Sequence, residues 1–364
     1  MKFCAVLGKY PKDVPGGAEY QSYQICKELS NRGYETHYVA HRSETESFEV
    51  DEGINLHRLN RNTSSNLRSK KHYLDDIDAD VYYFRNKKDI TLAALCSRYL
   101  TARVLYNIAH DYQCDSLLSL PKKRSLDVNG VISGVRLTYQ KLLYGFPDEV
   151  LAQTQGQKNR LRTNRGIDAH YVGNGHPVPE PPFDKQSPPV VLWLASLKRW
   201  KQPEQFIDLA EQCSELECQF WIVGRPANKE LFSEVSDRIE TLDNIEYKGG
   251  CTVEESNEYI SKASVFVNTS KVGMEGFPNT FVQAWLRETP VISLHKDVDR
   301  ILADNVGGVL AGSKNELSRF TQKMIKDEGY RRTLAERSRT KAEESYSINN
   351  VCDRLLDLVK NDKR

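Results

Sequence analysis

SVFVNTSKVGMEGFPNTFVQAWLRETPVISL, residues 264 to 294, decides the fold. It opens on a short β-branched and aromatic run, Val265 to Val267, and crosses a loop containing Gly273, Gly276 and Pro278. A helical pattern then starts near Asn279 and gives way to a second apolar run at PVISL. Strand, loop, helix and strand in this order form the βα unit of a parallel sheet. The alternation continues on both sides, with VVLWLAS, ECQFWIVG and NIEYKG before it and GVLAG after it. The first half of the chain repeats the rhythm in KFCAVLG, ETHYVA, INLHRL, VYYFR, RVLYNIA and EVLAQT. The fold class is therefore α/β, with two Rossmann-like halves.

Between KFCAVLG and ETHYVA, the residues Ala18, Ser22, Ile25, Cys26 and Leu29 fall on one helical face, and Gly33 follows as the stop signal. From His176 to Pro189, HPVPEPPFDKQSPP has six prolines in fourteen residues, which excludes a helix or a central strand and reads as a linker. These signals predict a first domain over 1–178, a linker over 179–189, a second domain over 190–345 and a closing segment over 346–364. In that segment Ile348, Val351, Cys352, Leu355 and Val359 form one helical face that must dock on something.

Length and composition agree with this plan. A chain of 364 residues with 39% hydrophobic and 28% charged residues suits two globular domains and excludes disordered, collagen-like and disulfide-stapled classes. Lys plus Arg number 51 against 50 acidic residues, so the total charge of +1 implies no nucleic-acid partner. The longest apolar run, Val190 to Ala195, is too short to span a membrane. Eight dispersed cysteines, without a CxxC pair or a Cys/His cluster, predict reduced thiols, a cytoplasmic setting and no metal centre.

Four stretches carry candidate chemistry. In YPKDVPGGAEYQ, Gly16 and Gly17 stand between strand and helix, where amides can approach an anion or where glycine simply makes a tight turn. The pattern is not GxGxxG, which argues against a dehydrogenase. DDIDAD, Asp75 to Asp80, reads as a solvated helix end ahead of VYYFR. In SLKRWK, Lys198, Arg199 and Lys201 follow a strand, at the sheet edge where α/β folds bind ligands; they suit a diphosphate or form a basic solvated loop. In the opening stretch, amides around Asn279 and Thr280 make a candidate anion site beside Glu275, with Gln283 about one turn on. Taken alone, Glu275 reads as a surface carboxylate and Gln283 as part of a solvated helix face.

Together PGGAE at 15 to 19, HD at 110 to 111, VGNG at 172 to 175, SLKRWK at 196 to 201, IVG at 222 to 224 and EGFPNTFVQAW at 275 to 285 resemble the retaining GT-B glycosyltransferases of family 4. The resemblance implies two Rossmann-like domains facing a central cleft. The donor, a nucleoside diphosphate sugar, is a substrate and no cofactor is needed. The acceptor domain is the first, and the closing helix crosses back to it. Carried over by position, Gly16 and Gly17 lie near the donor phosphates and His110 near the transferred sugar. Lys201 matches the diphosphate-binding lysine, and Glu275 the first glutamate of E(x7)E, which holds sugar hydroxyls. Gly224, Gly276, Phe277, Pro278, Asn279 and Thr280 fall in the donor-binding motifs.

Two positions depart from the family pattern: Ser196 stands where it has a phosphate-binding arginine, and Gln283 where it has a ribose-binding glutamate. Lys198 or Arg199 is the expected substitute cation. An amide at 283 still bonds hydroxyls, without charge assistance. The implied activity is sugar transfer from a UDP- or GDP-type donor to a glycan or lipid-linked acceptor hydroxyl, with retention and without a metal. An epimerase of the same fold and a nucleotide-sugar-binding partner subunit are the rivals. Between Pro121 and Phe146, Lys122, Lys123, Arg124, Arg136 and Lys141 lie among apolar residues. Core packing with a basic edge is preferred there, and peripheral contact with an anionic membrane is the other reading.

Overall fold

A computed structural model describes residues 1–62, 66–116, 138–139 and 142–361. The five basic residues of the 121–146 segment named above lie outside them. The chain divides into two units, Met1–Pro177 with Ile348–Arg364, and Val178–Ser347. No described helix is long and apolar enough to cross a membrane.

The first unit runs β1 (Lys2–Leu7), α1 (Gly17–Asn31), β2 (Glu35–Ser43), β3 (Ser47–Asp51), β4 (Ile54–Asn60), α2 (Leu67–Ile77), β5 (Val81–Phe84), α3 (Ile90–Tyr99), β6 (Arg103–Asn107), β7 (Glu149–Ala152), α4 (Gln155–Arg165) and β8 (His170–Tyr171). The strands form one sheet in the order β3-β4-β2-β1-β5-β6-β7-β8. All neighbours are parallel except β3 and β4. Both faces of this sheet are covered, as a parallel sheet requires. Cys4 and Val6 point to one face with Val39, Phe84 and Tyr106, whereas Phe3, Ala5 and Leu7 point to the other with Tyr38 and Tyr83.

Two strands have no counterpart in the sequence reading. In β3, Phe48 and Val50 alternate with Glu49 and Asp51, and no residue is buried, so it lacks a continuous apolar run. It pairs antiparallel with β4 through the two-residue turn Glu52-Gly53, both at positive φ, the geometry of a type I′ hairpin. Its edge position explains the polar composition. The other, β8, is only two residues long.

The second unit runs β9 (Val190–Leu194), α5 (Pro203–Gln212), β10 (Gln219–Val223), α6 (Lys229–Ile239), β11 (Ile245–Tyr247), α7 (Val253–Lys262), β12 (Val265–Asn268), α8 (Asn279–Trp285), β13 (Val291–Ser293), β14 (Gly308–Leu310), α9 (Lys314–Lys326) and α10 (Glu328–Tyr346). Its six strands are all parallel, in the order β11-β10-β9-β12-β13-β14. Trp193, Phe206, Ile207, Phe220 and Val267 anchor the core on one face. Phe281 and Trp285 of α8 anchor the other, with Trp285 stacked on Tyr346 at 5.9 Å.

The last helix, α11 (Ile348–Asn361), belongs to the first unit. Ile348, Val351, Cys352 and Leu355 are buried against the α1 side of the first sheet. Gly175 of the VGNG stretch makes this approach feasible: a Cβ there would lie 2.8 Å from Ile348 Cδ1 and 3.1 Å from the Ile348 Cα. The backbone N–H of Ile348 donates to His176 O at 2.8 Å.

Candidate active site

In a parallel sheet the loops at the C-terminal strand ends carry ligand sites. In the second unit three such ends converge, those of β9, β10 and β12. The loop after β9 contains Ser196 and Lys198 and tightens into a 3-10 turn over Arg199–Lys201. Gln202 follows with φ of 52°, a left-handed conformation that costs a non-glycine residue about 1 to 2 kcal/mol. Thr269, just beyond β12, holds the turn in place. Its hydroxyl bonds the carbonyls of Lys201 at 2.7 Å and Gln202 at 2.9 Å, and it accepts from the buried Trp193 indole at 2.9 Å.

The turn aims Lys201 at Glu275. Their side chains form an ion pair, 14% and 13% exposed respectively. The Lys201 ammonium also sits 4.5 Å from the centroid of the Trp200 ring, a cation–π distance. Asn268 Nδ2 faces the other Glu275 oxygen at 3.4 Å and the Ser270 hydroxyl at 3.2 Å. Burial alone pushes the Glu275 carboxyl up, but the Lys201 charge and hydrogen bonds from Lys201, Ser270 and Asn268 outweigh it. The net result is a carboxylate held below its ordinary range. Glu275 is thus an ionised acceptor fixed at a strand end, not the solvated surface carboxylate that its sequence alone suggests.

Gln283 also departs from expectation. It is buried, not part of a solvated face, and its Nε2 donates to Asn257 Oδ1 of α7 at 2.9 Å. This bond leaves the carboxamide oxygen as the acceptor for another group.

Of the basic residues in SLKRWK, Arg199 turns outward, where its guanidinium grips Glu234 at 2.7 and 2.9 Å and lies 3.6 Å from Glu230. Lys198 is exposed, as is Ser196. A cation that sequence reasoning passed over, Arg225, stands exposed just after IVG. Its carbonyl accepts from Leu197 N at 3.0 Å, which ties it to the Ser196 loop. Gly224 permits that closeness, because a Cβ there would sit 1.8 Å from the carbonyl oxygen of Ala195. The EGFP residues divide in role. Gly276, Phe277 and Pro278 are buried, with Phe277 edge-on to Tyr346 at 4.9 Å, so they anchor the loop while Asn279 and Thr280 open α8.

The first unit carries the remaining candidates. Gly16 caps α1 in an extended conformation and the exposed Gly17 is its first residue. His110 follows β6, stacked on Tyr112 at 5.3 Å. Buried Gln113 pins this loop: its Oε1 accepts from Ala109 N at 3.0 Å and His110 N at 2.8 Å, and its Nε2 donates to Tyr144 at 2.9 Å. Nearby in sequence to the VGNG motif's Gly175, Asn174 accepts from Arg85 at 2.5 Å. Among the described residues no group of three or more His, Cys, Asp or Glu side chains is arranged to hold a metal.

Two parallel-sheet units with this strand-end site are the architecture of the GT-B glycosyltransferases. Residues 188–327, most of the second unit, match the family model Glycosyl transferases group 1. The Anabaena protein HepE, solved with UDP and glucose, superposes with a TM-score of 0.75 at 17% identity over 100% of both chains. The sucrose-phosphate synthase of Thermosynechococcus elongatus gives 0.76 at 15% identity, over 99% of this chain and 98% of that one. The lipopolysaccharide outer core galactosyltransferase WaaB gives 0.68 at 15% identity, over 99% of each. At such identities the likeness speaks for the fold. No curated protein sequence matches the chain.

Proposed function

We propose that this chain is a glycosyltransferase that moves a sugar from a UDP- or GDP-type donor to the hydroxyl of a glycan or lipid-linked acceptor, with retention at the anomeric carbon, in glycan, glycolipid or cell-envelope synthesis. The observation that carries this reading is the Lys201–Glu275 pair at the converging strand ends, an ammonium and an ionised carboxylate side by side in a largely buried setting. That HepE was solved with UDP-glucose supports the donor class.

In this reading the bond between the anomeric carbon and the β-phosphate oxygen breaks as the acceptor oxygen attacks from the same face. The departing phosphate takes the acceptor's proton. Lys201 meets the negative charge growing on the diphosphate, and Arg225 supplies the cation that Ser196 lacks; charges fixed before the reaction need little reorganisation during it. Glu275 accepts from hydroxyls of the transferred sugar, and the Gln283 oxygen from a ribose hydroxyl. His110 and Gly17 belong to the same reading, as candidate contacts to the transferred sugar and the phosphates. The lysine and arginine charges replace a metal in the chemical step.

Measuring free nucleotide release with and without candidate acceptors tests the reading. Acceptor-dependent release of nucleotide supports transfer. Epimerised donor formed without acceptor would replace it with the epimerase reading.

A further inference from the structure

The Lys201–Glu275 pair is continued by a chain of hydrogen bonds that crosses from β12 to β13. Asn268 closes β12 and Ser293 closes β13, and the two stand side by side in the parallel ladder. Ser293 is fully buried and Asn268 is 6% exposed. A hydroxyl that follows Val291 and Ile292, where an apolar side chain would pack, needs hydrogen-bond partners. Ser293 has two. It accepts from the backbone N–H of Lys296 at 3.0 Å and donates to Asn268 Oδ1 at 3.4 Å.

The direction of this chain is set by its first member. A backbone N–H can only donate, so the Ser293 oxygen accepts there and its own proton is left for Asn268. The Asn268 oxygen also accepts from Ser270 N at 3.3 Å, which turns Oδ1 towards Ser293 and Nδ2 towards Glu275. Nδ2 donates to the Ser270 hydroxyl at 3.2 Å and to Glu275 Oε2 at 3.4 Å. Turned over, the amide would set Oδ1 against the Glu275 carboxylate and Nδ2 against the Ser270 N–H, two repulsive contacts. Bonds of 3.4 Å are long, so the orientation rests on these contacts together, and removing one loosens it.

We propose that Ser293 is a positioning residue, which aims Glu275 at the transferred sugar through the Asn268 carboxamide. This deepens the transfer reading above and rests on it. Lys296 N–H, Ser293 O–H and Asn268 N–H each point at the next acceptor, and the last acceptor is the carboxylate; aligned donors of this kind polarise one another. When a diphosphate takes the Lys201 ammonium, Asn268 and Ser270 are the side chains that still hold Glu275. A carboxylate aimed in advance accepts sugar hydroxyls with little reorganisation in the transition state. Ser293 touches no substrate in this scheme, so its effect falls on kcat and not on nucleotide binding.

The test reads Glu275 directly, without substrate. The full chain is labelled with 13C at the glutamate carboxyl carbon, and the Glu275 signal is assigned by its loss in Glu275→Gln. Carbon NMR titration should show a higher pKa for Glu275 in Ser293→Ala than in the native chain, because a carboxylate that loses a hydrogen bond ionises less readily. Asn268→Ala should raise it as well, and adding Ser293→Ala to Asn268→Ala should change nothing further, whereas a general loosening of the sheet would act in both backgrounds. An unmoved Glu275 titration in Ser293→Ala overturns the proposal, and so does an equal shift with and without Asn268. With a working donor and acceptor, Ser293→Ala should lower kcat about 2- to 12-fold, the worth of one net hydrogen bond, and leave free-nucleotide affinity unchanged. Native kcat in a variant whose Glu275 titration has moved also overturns the proposal. A native chain that transfers no sugar, while Ser293→Ala still shifts Glu275, overturns the transfer reading and leaves the coupling of Ser293 to Glu275 standing.

Discussion

Lys201 and Glu275, 74 residues apart in sequence, meet as an ion pair between two strand ends of one sheet. Each prepares the other: the ammonium keeps Glu275 ionised despite burial, and the carboxylate shields a cation that would otherwise be held without a partner. A bound diphosphate carries more negative charge than one carboxylate. Donor binding is therefore expected to draw Lys201 onto phosphate and free Glu275 for sugar hydroxyls.

Lys201→Ala is predicted to lower turnover and diphosphate binding together. Loss of a charged hydrogen bond of about 1.5 to 3 kcal/mol corresponds to roughly 10- to 150-fold in either constant. Steady-state kinetics and nucleotide titration check it. Wild-type constants would return Lys201 to the status of a structural partner for Glu275.

Glu275 and Gln283 should separate in their effects. Glu275→Gln is expected to lower kcat far more than affinity for free nucleotide, which lacks the transferred sugar. Gln283→Ala should weaken free nucleotide and whole donor by similar factors, because an interaction made equally in ground and transition states is lost. Asn257→Ala should reproduce a milder form of the Gln283 effect, since it releases the amide that Asn257 orients. Titrating both ligands into each variant, with kcat alongside, decides the assignment.

His57 predicts an acid-side loss of stability in the first unit. Its Nε2 meets His37 at 2.8 Å and its Nδ1 meets Tyr73 at 2.9 Å, and burial followed by the neighbouring His37 lowers it from 6.5 to about 4. The unfolded chain therefore binds the proton more readily, so stability is full above about pH 6.5 and falls as pH drops towards 4. The loss at pH 5 should be on the order of 2 kcal/mol. Urea unfolding at pH 7 and pH 5 should show this difference in the native chain and a smaller one in His57→Gln.

On the proposed mechanism, in which Lys201 and Arg225 meet the leaving charge, turnover should survive excess chelator. Lasting loss of activity that manganese restores would contradict this part of the mechanism.

What the sequence disclosed followed from periodicity and from motif spacing. The apolar runs of β9, β10 and β12 are visible because strands buried on both faces need continuous apolar residues, and EGFP after VFVNTS marks a loop at a strand end. β3 escaped because an edge strand exposed to water along nearly its whole length needs no such run. The fate of the polar residues was less legible. Nothing in RWK distinguishes Arg199, captured by Glu234 from a different helix, from Lys201, captured by Glu275. Asn268, the last residue of β12, with Thr269 and Ser270 just beyond it, forms a polar tail at a strand end, which was a readable signal, whereas Asn257 becomes relevant only once α7 and α8 pack together.

The account rests most directly on donor use by the Lys201–Glu275 site. Nucleotide release from a panel of UDP- and GDP-sugars, measured with and without glycan and lipid-linked acceptors, tests it when the native chain is run beside Lys201→Ala and Glu275→Gln. The account predicts acceptor-dependent release by the native chain from at least one donor, with kcat reduced about tenfold or more in both variants. Native kinetics in both variants, or a chain that neither binds nor cleaves any nucleotide sugar in the panel, would contradict it.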